Sequence, residues 1–125
     1  MDMQKQIAYW STGAEEDFAA SQTLLEKGHL RHGMFFAHLA LEKILKAHVV
    51  KATQNIPPRI HSLTLLAEKS CLVLDSARSD FLKDFNLYQM EGRYPFEDRV
   101  WVNSVQARSD MSAAKEMLEW LKAQL

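Results

Sequence analysis

The chain has 125 residues, of which 47% are apolar and 25% charged, and its 15 Lys and Arg against 16 Asp and Glu leave a net charge of -1. This length fits one domain, residues 1–125, with a single hydrophobic core, and the ordinary composition argues against a disordered chain. The near-neutral charge excludes a general electrostatic attraction to nucleic acid or to a membrane surface.

The single cysteine, Cys71, cannot form an intramolecular disulfide, which is typical of a reducing compartment, and we expect it to be a small apolar side chain that is buried or half-buried. Residues 1–10 include charged side chains and lack the apolar segment of a secretion signal. No apolar run approaches the ~20 residues that span a bilayer. These observations predict a cytoplasmic protein with no membrane-inserted segment.

Apolar residues recur at steps of three and four through most of the chain, which predicts helices. The first helix is predicted around residues 7–25 and the second around residues 36–48, and a short third helix follows the prolines. Three pairs of residues mark the breaks: Gly28 with Gly33, Pro57 with Pro58, and Gly92 with Pro95.

Polar residues that can cap a helix N-terminus precede the remaining helical segments. Ser62 is predicted to cap the third helix, Asp75 or Ser76 the fourth, and Asn103 or Ser104 the last. No segment shows the alternation typical of a strand. The sequence therefore predicts an all-α fold, an antiparallel up-and-down bundle of about five helices.

Positive charge is concentrated in residues 27–61, where six basic residues accompany Glu42 as the sole acidic residue. All five histidines lie in the same segment, and four of them, His29, His32, His38 and His48, belong to the second helix and its flanks. One interpretation is a surface that faces phosphate or RNA. The other, which we favour, is that this basic helix packs beside the acidic first helix and balances its charge.

The usual motifs of catalysis and cofactor binding are absent from the sequence. There is no Gly-x-Ser-x-Gly turn and no glycine-rich phosphate loop. His29 and His32 have the spacing of a ligand pair, but His38 points away from both on a regular helix and no second cysteine is available. We therefore expect no metal, no cofactor and no catalytic residue.

Several short motifs are informative when they are taken together and in order. They are Trp10, Ala14, Asp17 and Ala20; the segment Ala40–Ala47 (ALEKILKA); the segment Pro58–Leu63 (PRIHSL); and Tyr88 followed by Gly92–Pro95 (GRYP). This ordered set resembles the HEPN domain, the nucleotide-binding domain of higher eukaryotes and prokaryotes, over essentially the whole chain. The resemblance implies a helical bundle that usually dimerises and is often partnered with a minimal nucleotidyltransferase, as in toxin–antitoxin pairs.

Many members of that family are ribonuclease toxins that use an Arg, four to six intervening residues and then a His. Here the positions at that spacing after Arg93 are Asp98, Arg99 and Val100, and no histidine follows His61. Arg31 and His38 have the spacing but lie at the start of the second helix rather than in the loop that carries the family motif. Metal-free cleavage then lacks its proton carrier, so we interpret the chain as non-catalytic.

Five residues are predicted to bind a ligand: Lys43, Lys46, His61, Arg93 and Tyr94. Arg93 can hold a phosphate by two hydrogen bonds and Tyr94 can stack on a base, while Lys43 and Lys46 share a helix face and add charge. His61 can donate a hydrogen bond to the same anion. The competing interpretation makes Arg93 a structural ion pair with Glu42 or an aspartate, and makes Tyr94 a residue that ends the fourth helix.

Together with the resemblance, these residues predict a non-catalytic module that binds a nucleotide or RNA and forms a homodimer, and the resemblance implies a nucleotidyltransferase as its partner. Trp101, in an irregular loop, is the aromatic residue expected at a dimer interface or a binding groove. Two alternatives stay open, a divergent metal-independent ribonuclease toxin and a module that binds only a protein partner.

Overall fold

The computed structural model describes residues 2–89 and 102–125, and in these ranges the chain forms five α-helices and a 3₁₀ turn, without a β-strand. The elements are α1 (Met3–Glu26), α2 (Leu30–Thr53), α3 (Leu63–Lys69), α4 (Ser76–Phe85), the 3₁₀ turn (Asn86–Tyr88) and α5 (Ser104–Ala123). The predicted all-α helical bundle is confirmed. Across the described residues, no helix is both long enough and apolar enough to cross a membrane.

Side-chain caps determine where four of the helices begin. Asp2 caps α1, and Ser62 accepts a hydrogen bond from the first turn of α3, as predicted. Asp75 rather than Ser76 caps α4, with its Oδ1 2.8 Å from the backbone nitrogen of Arg78. Asn103 caps α5 in the same way. In each case the cap satisfies an N–H group that has no partner within the helix.

The turn between α1 and α2 is shorter than the predicted break, because it spans only Lys27–His29. Gly28 has a positive φ of 87°, which favours glycine at this turn. Gly33 lies inside α2 and does not break it, so that part of the prediction was wrong. A Cβ at Gly33 would lie 3.1 Å from the backbone nitrogen of Leu25 and 3.2 Å from the carbonyl oxygen of Ser21. Glycine is required there by close packing of the two helices and not by backbone conformation.

The central element is α2, which packs against α1, α3, the 3₁₀ turn and α5. It buries 14 residues, whereas α1 buries three. The last helix, α5, runs antiparallel to α1 and parallel to α2. His48 Nε2 donates a hydrogen bond to the Leu121 carbonyl at 2.7 Å, and burial lowers the pKa of this imidazole. The hydroxyl of Tyr88 donates to Asp110, which links the 3₁₀ turn to α5.

Cys71 is exposed, so the expectation that it is a buried or half-buried apolar side chain was wrong. The reason is that α3 ends at Lys69 and Cys71 lies in the turn that follows, with φ at 58°. Apolar packing of α3 is provided instead by Leu63, Leu66 and Ala67.

Candidate functional site

A carboxylate, Glu42, is buried in the middle of α2 with only 4% of its surface exposed. Polar and aromatic side chains from four parts of the chain surround it. We call this group the Glu42 cluster; its members are Trp10 from α1, His38, Glu42 and Lys46 from α2, His61 before α3, and Asn86 from the 3₁₀ turn. His38, Glu42 and Lys46 are spaced by four residues and so lie on one face of the helix.

Two nitrogen donors share the Glu42 carboxylate. Lys46 Nζ is 3.0 Å from Oε2, and His61 Nδ1 is 3.2 Å from Oε1. The side chains of Glu42 and Lys46 are 5% and 8% exposed, whereas that of His61 is 41% exposed. Glu42 and Lys46 are therefore covered by protein, and His61 is the member of the three that solvent reaches.

His38 is fully buried, and its hydrogen bonds define which ring nitrogen carries the proton. The backbone N–H of Leu63 donates to Asn86 Oδ1 at 2.9 Å, which identifies that atom as the amide oxygen. His38 Nε2 lies 3.4 Å from the same oxygen, so Nε2 must be the protonated nitrogen. Nδ1 is then unprotonated, and within the described residues it has no hydrogen-bond partner.

The atom that faces His38 Nδ1 is Glu42 Oε1, at 3.9 Å, which is too long for a hydrogen bond. Burial lowers the pKa of His38 to about 4, and the Asn86 contact and the Glu42 charge, which act in the opposite direction, do not overcome it. His38 is therefore neutral at pH 7, beside a carboxylate that Lys46 and His61 both contact.

Trp10 covers the cluster from α1. The ammonium of Lys46 lies 5.3 Å from the centre of the indole ring, within the range of a cation–π contact. Trp10 Nε1 is buried and has no hydrogen-bond partner in the part of the chain that the structure describes. The aromatic face therefore helps to hold the Lys46 ammonium beside Glu42.

The predicted ligand-binding residues are divided by the structure. Lys46 and His61 meet at Glu42. Lys43 also faces α1, but its Nζ lies 2.8 Å from Asp17 Oδ2, in a separate ion pair. Arg93 and Tyr94, like Trp101, lie outside the described residues, so the predicted phosphate clamp, base stack and interface residue stay predictions.

Four members of the cluster were not predicted as site residues: Trp10, His38, Glu42 and Asn86. One signal for them was present in the sequence, namely the spacing of His38, Glu42 and Lys46 along one face of an otherwise apolar helix. Asn86 carried no such signal, since it meets His38 only through packing of the 3₁₀ turn against α2.

The basic segment 27–61 does not form one continuous exposed surface. Lys46, His38 and His48 are buried, and Lys43 binds an aspartate of the acidic first helix. The Lys43–Asp17 pair supports the interpretation that α2 balances the charge of α1. Exposed basic side chains in this segment are Lys27, Lys51 and Arg59.

The cluster presents an ammonium and an imidazole to one carboxylate, and such donors also bind phosphate oxygens. In residues 2–89 and 102–125, no group of three or more His, Cys, Asp or Glu side chains is arranged to hold a metal ion. His38 has the ribonuclease spacing relative to Arg31, but it is fully buried and cannot contact RNA in this conformation.

Comparison with known proteins agrees with the fold. A family model of the HEPN domain matches residues 7–124, nearly the whole chain. The chain belongs to the HEPN domain family. No curated protein matches it in sequence.

Two solved structures share the fold of this HEPN domain. The crystal structure of TT1696 from Thermus thermophilus is similar with a TM-score of 0.80 and 18% identity, over 96% of this chain and 98% of that one. The crystal structure of ST0689, an archaeal HEPN homologue, is similar with a TM-score of 0.72 and 20% identity, over 94% of this chain and 96% of that one. At these identities the likeness shows the fold alone.

Proposed function

We propose that this HEPN domain is a non-catalytic module that binds a phosphate group of a nucleotide or an RNA. One observation carries the proposal: Lys46 and His61 converge on a single carboxylate, and His61 is exposed on the solvent side. Glu42 then occupies the place of an anion. A phosphate oxygen can accept the same two hydrogen bonds, and the other proposed contacts, from Arg93 and Tyr94, add to them, whereas Lys43 would first have to leave Asp17.

The non-catalytic part of the proposal is supported by the two arginines that could begin a ribonuclease motif. Arg93 is followed at the required spacing by Asp98, Arg99 and Val100, none of which carries an imidazole. Arg31 is followed by His38, which is fully buried. Cleavage without a metal needs a general acid or base in contact with the RNA, and neither pair supplies one.

Two partners are proposed from family membership alone: a second copy of the chain and a nucleotidyltransferase. Sedimentation at tens of micromolar tests the first, since a monomeric coefficient contradicts a homodimer. For the second, the purified chain and a minimal nucleotidyltransferase from the same source are expected to co-elute from a sizing column. Separate elution would refute that partnership.

The ligand is tested by calorimetric titration of the purified chain with AMP, ATP, GTP and a short RNA. Lys46→Gln is expected to weaken binding by about tenfold or more, because a hydrogen bond to a charged group contributes about 1.5–3 kcal/mol. Lys27→Gln is the matched control, since it removes one exposed positive charge outside the cluster and should leave affinity unchanged.

Loss of stability is separated from loss of binding by a double variant. Lys46→Gln alone leaves the buried Glu42 without its strongest counter-charge, which destabilises the fold. Glu42→Gln with Lys46→Gln removes both charges and keeps the hydrogen-bonding shape. If the double variant binds like the unmodified chain, the site is elsewhere; if none of the ligands binds the unmodified chain, the protein-interaction module becomes the better account.

A further inference from the structure

The unprotonated Nδ1 of His38 is a buried acceptor with nothing to accept from in the described part of the chain. It lies 3.9 Å from Glu42 Oε1, the oxygen that His61 also contacts. Two acceptors therefore face each other at a distance just beyond a hydrogen bond. A single proton between them would convert this gap into a charge-assisted hydrogen bond.

An anion that binds Lys46 and His61 must compete with Glu42 for both donors. Once the anion holds them, Glu42 is a buried carboxylate that has lost the Lys46 ammonium and the His61 hydrogen bond, which is unfavourable in a site of low exposure. The nearest group that can restore neutrality is His38, one helical turn away and fully buried.

We propose that binding of a phosphate anion at Lys46 and His61 is coupled to uptake of one proton from solvent, which the His38–Glu42 pair then holds between Nδ1 and Oε1. This inference rests on the proposed function and names how the site adjusts to its ligand. The proton comes from a hydronium ion or a buffer acid in bulk solvent, where one bond to hydrogen is broken, and it forms one N–H bond at His38 Nδ1 that donates to Glu42 Oε1; no other covalent bond changes. Anion binding is accordingly stronger at lower pH.

The groups around His38 agree with this assignment. Glu42 on the same helix favours its protonation, and His61 before α3 opposes it. Asn86 of the 3₁₀ turn is neutral, and its oxygen keeps the proton of His38 on Nε2. No charged group of α1 or α5, within the described residues, is among those that act on His38. Among these groups, Glu42 is the acceptor that faces Nδ1.

The test is calorimetric titration between about pH 5 and pH 8 with two probes of constant charge, a five-residue oligouridylate without terminal phosphates and the methyl ester of AMP. Repeating each titration in two buffers of different ionisation enthalpy gives the number of protons taken up. Uptake approaching one proton per site is expected near pH 6. The affinity should increase by up to about tenfold per unit decrease in pH.

Variants assign the proton. His38→Gln keeps an N–H donor toward Asn86 and should bind either probe without proton uptake. Glu42→Gln should also abolish the proton uptake. This variant should bind either probe more tightly than the unmodified chain does, because Lys46 no longer has to break an ion pair with Glu42 before it contacts the anion. His32→Gln, at an exposed position on the same helix, is the control and should retain the uptake. If His38→Gln does not fold, Glu42→Gln gives the same test.

His61 contacts the proposed anion and is the competing site for the proton. His61→Gln should weaken binding but keep the proton uptake. Loss of uptake in His61→Gln, with retention in His38→Gln or in Glu42→Gln, would assign the proton to His61 and overturn the inference. Binding without any uptake would overturn it while leaving the proposed function intact, and failure of both probes to bind would overturn both.

Discussion

Gly13 lies in α1 and Gly33 in α2, and replacing each with Ala tests how closely these two helices pack. In both places alanine removes the entropic disadvantage of a helical glycine, a gain of up to about 1 kcal/mol. The two sites differ in what the new methyl group would contact. That difference decides the sign of the change in the free energy of unfolding.

At Gly13 the added Cβ would lie 3.1 Å from Lys43 Cδ and 3.6 Å from its Nζ. These atoms belong to a flexible side chain that can move by a few tenths of an ångström, although its ion pair with Asp17 opposes the movement. A partly exposed pair of this kind contributes at most about 1 kcal/mol. Gly13→Ala is therefore expected to be neutral or to stabilise the fold by about 0.5 kcal/mol.

At Gly33 the contacts are with the backbone of α1. A Cβ would lie 3.1 Å from the nitrogen of Leu25 and 3.2 Å from the oxygen of Ser21, and neither atom can move without shifting α1. Overpacking of this kind costs about 1–3 kcal/mol, more than the helical gain. After subtraction of the helical gain, Gly33→Ala is expected to destabilise the fold by up to about 2 kcal/mol.

The assay is urea unfolding followed by circular dichroism, with the two variants and the unmodified chain measured side by side. The urea concentration at the midpoint should increase slightly for Gly13→Ala and decrease for Gly33→Ala. The slope of the free energy of unfolding against urea concentration should not change. A Gly33→Ala variant at least as stable as the unmodified chain would refute the close packing of α1 on α2. A loss of more than about 1 kcal/mol in Gly13→Ala would show that Lys43 cannot adjust.

Three further predictions follow from buried polar groups and caps. Burial lowers the pKa of His38 from 6.5 to about 4, so between these pH values the unfolded chain binds more protons than the folded chain. The contribution of neutral His38 to the free energy of unfolding should therefore be complete above about pH 6.5. That free energy should fall by about 2 kcal/mol between pH 7 and pH 5. Thermal melts should show this decrease in His32→Gln and a smaller one in His38→Gln; equal decreases would contradict it. Asn103→Ala removes the cap of α5 and should cost about 1 kcal/mol in urea unfolding, and an unchanged midpoint would count against the cap. Tyr88→Phe removes a hydrogen bond to α5 and should lower the free energy of unfolding by about 1 kcal/mol in the same measurement. An unchanged midpoint would show that this bond does not stabilise the fold.

Most of the fold was predictable because its signals are local. Apolar spacing of three and four residues identified the helices, and Ser62, Asp75 and Asn103 were correctly among the capping candidates. These signals work over a few residues, so they do not depend on distant parts of the chain. Gly33 was misinterpreted for the same reason: a glycine that permits close packing has the same local appearance as one that ends a helix.

The candidate site was only partly predictable. Lys46 and His61 were expected to act together, and the structure brings them to one carboxylate. The role of Glu42 was not expected, because an acidic residue among basic ones gives no indication of burial. Lys43 was grouped with Lys46 from their spacing, but contacts with α1 gave it a different partner.

By itself the sequence determined the helical class, the candidates for three of the helix caps and the membership of the HEPN family, because each of these is contained in short spacings and in their order. Only the tertiary structure decided which charges are buried and which side chains meet. His38 and Asn86 are 48 residues apart in the sequence. The 3₁₀ turn packs against α2 and brings the Asn86 oxygen to His38 Nε2, which leaves the unprotonated Nδ1 facing Glu42. Burial turns a neutral imidazole and a carboxylate, ordinary on a surface, into a pair whose protonation state matters, since charge in a low-dielectric interior must be balanced locally.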